Sequence, residues 1–235
     1  MATPRKSRDN LATIDDLKGD ESWRIFRIIS EFTEGIDKLS DTGDGVSIFG
    51  SARLLPENPY YAQAMQIAEG LAREGFMVIS GGGPGIMEAA NRGAQAGNGV
   101  SVGLNIELPR EQHANTYQDI SLDFRYFFVR KVMFVRHSIG YVCMPGGFGT
   151  LDELFESLTL MQTHKIYRMP IILFGTAFWG GLLDWIRNTL VSGGLISPED
   201  MDYLTVTDST EEVVAVLRKH RDWKNSMRRN AGGNR

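Results

Sequence analysis

Between residues 46 and 220, short apolar runs alternate with stretches whose apolar residues recur every three or four positions. The runs Val46–Phe49, Phe76–Ser80, Gly99–Ile106, Ile139–Met144 and Pro170–Phe174 read as strands, with a last one near Tyr203–Val206. Helical spacing covers Tyr60–Glu74, Ile86–Ala96, the segment through Arg130, Met133 and Arg136, the segment from Leu154 to Met161, Trp179–Leu190 and Glu211–Lys219. A short extended piece around Leu122–Phe124 precedes the fourth of the strands at Tyr141 by one helix. Alternating strands and helices predict an α/β fold with a doubly wound (Rossmann-like), mostly parallel sheet and helices on both faces. Sheets of this kind bind ligands beyond the carboxyl ends of their strands.

Ahead of this unit, Trp23, Ile25, Phe26, Ile28, Ile29, Phe32 and Ile36 approximate helical spacing from Asp20 to Leu39, and Asp41-Thr42-Gly43-Asp44-Gly45 breaks it. The expected organisation is a mobile tail over 1–19, an N-terminal helix and linker over 20–45, a nucleotide-binding domain over 46–220, and a mobile tail over 221–235. The N-terminal helix is surplus to the repeating unit, so it packs on the domain or on a partner subunit. Together with the apolar helix around Phe127–Val135 it predicts a homo-oligomer, a dimer or larger.

Length and composition narrow the partners. The chain has 235 residues, with 42% hydrophobic and 23% charged, which is ordinary for one soluble globular domain. A net charge of −4 argues against nucleic-acid binding, although basic residues gather at both ends. Met169–Leu183 is the longest uncharged run and is too short to span a bilayer. No signal peptide opens the sequence, so no membrane association and a cytoplasmic location are expected. Cys143, the single cysteine, sits in an apolar strand and reads as a buried structural thiol. His113, His137, His164 and His220 are scattered without ligand spacing, so no metal site is expected.

The chemistry concentrates where strands end in small residues: Gly50-Ser51-Ala52, Gly81–Gly85 and Pro145-Gly146-Gly147-Phe148-Gly149-Thr150. A strand that ends in glycines and opens a helix presents bare N–H groups at the positive end of a helix dipole, a site for phosphate or carboxylate. The second and third loops share a pattern, Gly-Gly-x-Gly followed by an acid in the first helical turns, Glu88 and Glu153. The dinucleotide fingerprint G-x-G-x-x-G, the Walker A motif and the G-x-S-x-G elbow are all absent. Glu153 has two readings from its residues alone. It can serve as an acid or base beside a bound phosphate, or Thr150-x-x-Glu153 can form a capping box that ties the glutamate to the backbone.

Two separated motifs go further. Gly82-Gly83-Pro84-Gly85-Ile86-Met87-Glu88 and Pro145-Gly146-Gly147-Phe148-Gly149-Thr150-Leu151-Asp152-Glu153, with Arg130-Lys131-Val132-Met133 on the helix before the second, resemble the LONELY GUY (LOG) family. Arg130 lies 23 residues before Glu153, the separation the resemblance requires. The similarity covers roughly Val46 to Leu190, and the N-terminal helix and the loop between Ile106 and Phe124 look more like the longer second class of the family.

The family comprises cytokinin riboside 5′-monophosphate phosphoribohydrolases, often mislabelled as lysine decarboxylases. The resemblance implies hydrolysis of the N-glycosidic bond of AMP or an N6-substituted AMP, giving adenine or a cytokinin and ribose 5-phosphate. It implies Arg130 and Glu153 as the catalytic pair, and it tips Glu153 toward catalysis. Gly146, Gly147, Gly149 and Thr150 would hold the 5′-phosphate, with Lys131, Met133 and Thr159 also in the substrate-binding set. Glu111 is the nearest match to a substrate-contacting glutamate, and Ser51, Gly82, Gly83 and Glu88 are further candidate contacts. No cofactor is needed for this reaction. A pyridoxal phosphate enzyme would need a lysine placed for a Schiff base, and Lys131 and Lys165, the only lysines between 39 and 218, fit no such pattern. The alternative on the same fold is a non-catalytic nucleotide or molybdenum-cofactor carrier.

Overall fold

A computed structural model describes residues 21–108 and 113–232. The apolar runs become strands β1 (Gly45–Phe49), β2 (Met77–Ser80), β3 (Ser101–Ile106), β4 (Ile120–Phe124), β5 (Ser138–Cys143), β6 (Ile171–Phe174) and β7 (Leu204–Thr207). Between and around them lie α1 (Glu21–Leu39), α2 (Pro59–Arg73), α3 (Ile86–Ala96), α4 (Phe127–His137), α5 (Phe148–Gln162), α6 (Thr176–Trp185) and α7 (Thr210–Gly232). One seven-stranded sheet has the order β4-β3-β2-β1-β5-β6-β7, with every neighbouring pair parallel. This is the expected α/β architecture.

The central strands are buried along their whole length, which is why they read as unbroken apolar runs. Two cores sandwich the sheet. Phe49, Ile79, Leu104, Tyr141 and Leu173 face α1, α4, α5 and α6 with Met133, Leu154 and Trp179. Val46, Ile48, Val78, Val142 and Ile172 face α2, α3 and α7 with Ile67, Leu71, Ile86 and Leu217. Strand β4 lies at the sheet edge, where Ser121 and Asp123 face outward and thin the apolar signal to alternate positions.

Two boundaries differ from expectation. Residues 221–232 are not a tail but the continuation of α7. The Arg221 guanidinium stacks 4.2 Å from the Phe76 ring and donates to the Glu74 carbonyl (2.6 Å), while Lys224 pairs with Asp44 at 2.8 Å. These cations read as solvated in sequence because their partners lie some 150–180 residues away. The helix beginning at Thr176, capped by Asp208, changes to a π-helical turn over Ile186–Val191. The expected tail over 1–19 lies outside the described residues. Among the described residues no helix is long and apolar enough to cross a membrane.

Candidate active site

The chain reverses its winding between β1 and β5, and the two strand ends are tied together there. Met144 N–H donates to the Phe49 carbonyl (2.8 Å) and Ser51 N–H to the Pro145 carbonyl (3.0 Å). A cavity of about 890 Å3 opens over this junction. All three small-residue loops reach it, through Gly50–Ala52, Gly81 and Pro145–Thr150, and α4 supplies Arg130, Phe127 and Phe134. Its placement is that of ligand sites in doubly wound sheets.

The loop after β5 builds the anion-facing wall. Helix α5 starts at Phe148 with Gly147 as its N-cap, and no side chain caps it. The first N–H groups of any helix lack intrahelical partners, so those of Phe148 and Gly149 are available to a bound anion. The Thr150 N–H is already bonded to the Gly147 carbonyl (3.0 Å), leaving its hydroxyl as the residue's contribution. Gly146 is required at its position because a Cβ there would strike the Thr150 hydroxyl.

This start removes the capping-box reading of Glu153. Thr150 lies inside α5 rather than at its N-cap, so Thr150-x-x-Glu153 is not a capping box. Glu153 is 4% exposed and lines the cavity. Burial raises its pKa to about 7, opposed by Lys131 and Arg130 and reinforced by Glu156 and Asp152. A carboxyl group poised near neutrality suits a general base.

Arg130 faces the same cavity from α4. Its guanidinium sits between the rings of Phe127 and Phe134, at 5.2 and 5.7 Å. Nε is buried without a hydrogen-bond partner, and Nη1 reaches only the Leu104 carbonyl at 3.5 Å. Burial lowers its pKa, opposed by Glu153 and Asp152, although no ion pair within 4.0 Å reaches it among the described residues. A buried cation with an orphaned donor is costly unless a partner arrives, and an anionic ligand would supply one.

Helix α1 supports this arrangement. The Glu31 carboxylate accepts from the N–H groups of Arg125 (3.1 Å) and Tyr126 (3.3 Å), and so anchors the two residues that lead into α4. The side chain of Met133, a candidate substrate contact, is fully buried and packs against Gly35 of α1. It belongs to the core, not to the cavity. Glu31 carries no motif in the sequence; only its position one helix away from α4's start reveals its role.

Other candidates also lie away from the cavity. Gly82 (φ +72°) and Gly83 have their carbonyls clamped by Asn115 and Gln118, and a Cβ on Gly82 would strike Asn105. At the N-terminus of α3 one N–H is taken, that of Ile86 donating to the Ser51 carbonyl (3.0 Å). The second glycine loop is thus a packing wedge, and only Gly81 and Met87 touch the cavity. Glu88 does not line the cavity and accepts from the Tyr61 hydroxyl (2.7 Å). Thr159 is exposed and its hydroxyl donates to the Phe155 carbonyl (2.8 Å). Lys131 pairs with Asp152 (2.9 Å) and Glu156 (3.0 Å) instead of lining the cavity. Ser51 does line it, and Glu111 lies outside the described residues. Sequence reasoning missed the aromatic rim. Phe148, 91% exposed, and Phe178 join Phe127 around the opening. A lone aromatic in a glycine loop or on a helix gives no periodic signal.

A family model described as "Possible lysine decarboxylase" matches residues 87–217. A cytokinin riboside 5′-monophosphate phosphoribohydrolase from Mycobacterium tuberculosis is 30% identical over 189 residues, 75% of this chain and 95% of that protein. The chain belongs to the LONELY GUY family. A rice protein (Oryza sativa subsp. japonica) named "Probable cytokinin riboside 5′-monophosphate phosphoribohydrolase" is 28% identical over 68% of this chain and 66% of its own length. Among solved structures, the molybdenum cofactor carrier protein of Chlamydomonas reinhardtii superposes with a TM-score of 0.55, at 18% identity, over 76% of this chain and 98% of that one. That likeness shows the shared fold. Among the described residues no cluster of His, Cys, Asp and Glu is arranged to hold a metal ion.

Proposed function

We propose that this LOG-family chain hydrolyses the N-glycosidic bond of a purine nucleoside 5′-monophosphate, AMP or an N6-substituted AMP, to the free base and ribose 5-phosphate. The observation that carries the reading is the pairing, in one cavity, of a buried near-neutral carboxyl, Glu153, with Arg130, whose Nε has no partner, beside an uncapped helix start. The phosphate sits against the N–H groups of Phe148 and Gly149 and the Thr150 hydroxyl. Glu153 removes a proton from water as its oxygen bonds to C1′, and the C1′–N bond breaks with its electron pair going to the base. The proton held by Glu153 then passes to the departing base, so atoms and charge balance. Ionised Glu153 also stabilises the positive charge that develops on the ribosyl ring. Arg130 binds the ribose or phosphate and fixes the ionised form of its neighbour.

The names of the relatives support this reaction, and the aromatic rim of Phe127, Phe148 and Phe178 suits a planar base with an apolar substituent. Incubation with AMP and with isopentenyl-AMP, assayed for ribose 5-phosphate, tests it. Release from either supports the reading. Tight binding of both without release would instead make the chain a carrier.

A further inference from the structure

Resemblance places Lys131 among the substrate contacts, but the structure gives it other work. It follows Arg130 on α4, its side chain is 17% exposed, and its Nζ bridges Asp152 (2.9 Å) and Glu156 (3.0 Å) of α5. Those two acids flank Glu153, one residue before it and three after, on adjoining positions of the helix surface. Nζ is therefore engaged by two carboxylates of α5, and Lys131 does not line the cavity.

We propose that Lys131 is a positioning residue: by pinning Asp152 and Glu156 it ties α4 to α5 and shields the Glu153 carboxylate from two like charges, without touching the nucleotide. The proposal rests on Glu153 serving as the base. Three elements present titratable or charged groups to Glu153: Arg130 and Lys131 from α4, Asp152 and Glu156 from α5, and Tyr141 and Cys143 from β5. The Tyr141 hydroxyl is buried without a partner, and burial raises its pKa, as it does for Cys143, so both stay neutral. Lys131 and Arg130 are thus the two cations opposing burial, Asp152 and Glu156. Burial alone would weaken the Lys131 charge, but its bonds to Asp152 and Glu156 outweigh burial and raise its pKa, keeping it protonated.

The test is Lys131→Met, with Lys131→Arg as the conservative rescue. Two readouts serve: the pH profile of kcat/KM for AMP, and a carbon-13 titration of the Glu153 carboxyl, identified by its absence in Glu153→Gln. Lys131→Met should move the Glu153 midpoint and the acidic limb up by about one pH unit, a roughly tenfold loss of kcat/KM below that limb. The KM for AMP at high pH should change less than about twofold, and Lys131→Arg should restore both midpoints. A raised KM with an unmoved limb would mean that Lys131 binds the nucleotide. A lower melting temperature with neither midpoint moved would make it a structural strut only; either result overturns the proposal. If Lys131→Met fails to fold, Asp152→Asn/Glu156→Gln should shift Glu153 the opposite way, and an unmoved midpoint there is equally contradictory. Wild-type protein that releases no ribose 5-phosphate contradicts the proposed reaction, while the titration still decides the role of Lys131.

Discussion

Glu153 is held where its charged form is disfavoured, and that has a cost in stability. With a folded pKa of about 7 against 4.5 for a free glutamate, the folded chain retains a proton that the unfolded chain releases. The group's stabilising contribution is complete below about pH 4.5 and is lost as pH rises through about 7. Glu153→Gln removes this dependence. The variant should be more stable than wild type at pH 8 by on the order of 3 kcal/mol, with the difference vanishing near pH 4. Urea unfolding at both values checks this, and a pH-independent difference would refute it. Which role Glu153 plays could not be read from its neighbours, because Thr150-x-x-Glu153 satisfies the capping-box pattern. The capping reading depended on where α5 starts, and the helix begins from Gly147, three residues further back than the pattern implied. The Pro145–Thr150 loop lines the cavity as its glycines before a helix suggest, but the same pattern at Gly82–Gly85 packs instead, and Arg130 was legible only through its spacing from Glu153 in the family resemblance. Lys131, Glu88 and Thr159 were not, since a side chain's direction on a helix depends on which neighbour claims it.

At the scale of elements, the cavity wall depends on two helix starts. That of α5 is left open for a ligand, and the residues leading into α4 are anchored by Glu31 from α1. Glu31→Ala should cost about 1 kcal/mol, accelerate amide exchange at Arg125 and Tyr126 and reduce kcat by displacing Arg130. Glu31→Gln keeps an acceptor and should recover part of each. Unaltered exchange at these two amides would show that α1 does not hold the entry to α4. The strands and helices themselves follow from apolar periodicity, and α3 spans Ile86–Ala96 as its spacing predicts. The end of α7 was hidden because Arg221 and Lys224 find partners at Glu74 and Asp44, contacts that no local pattern encodes.

At the scale of the whole molecule, α1 and α4 present exposed apolar side chains. Trp23 and Phe26 of α1 are each 63% exposed, and Phe127, Phe128 and Val132 of α4 are about half exposed beside them. Isolated exposed apolar residues are ordinary, but a contiguous set on two adjoining helices marks an association surface. We expect wild-type protein to sediment as a dimer or larger assembly, and Trp23→Glu/Phe26→Glu to shift it to monomer. A monomeric wild type would contradict this. Because Phe127 belongs both to this surface and to the cavity rim, assembly and substrate affinity should change together.

The role of Glu153 is tested most directly by the rate of ribose 5-phosphate release from AMP between about pH 5 and 9 in wild type and Glu153→Gln. Wild-type kcat/KM should rise with pH through about 7, as the free carboxyl loses its proton. Glu153→Gln should lose roughly 10²–10⁴-fold at every pH above that limb while still binding AMP. Release by the variant at the wild-type rate, or a wild-type profile with no limb near neutrality, would contradict the assignment of Glu153 as the base.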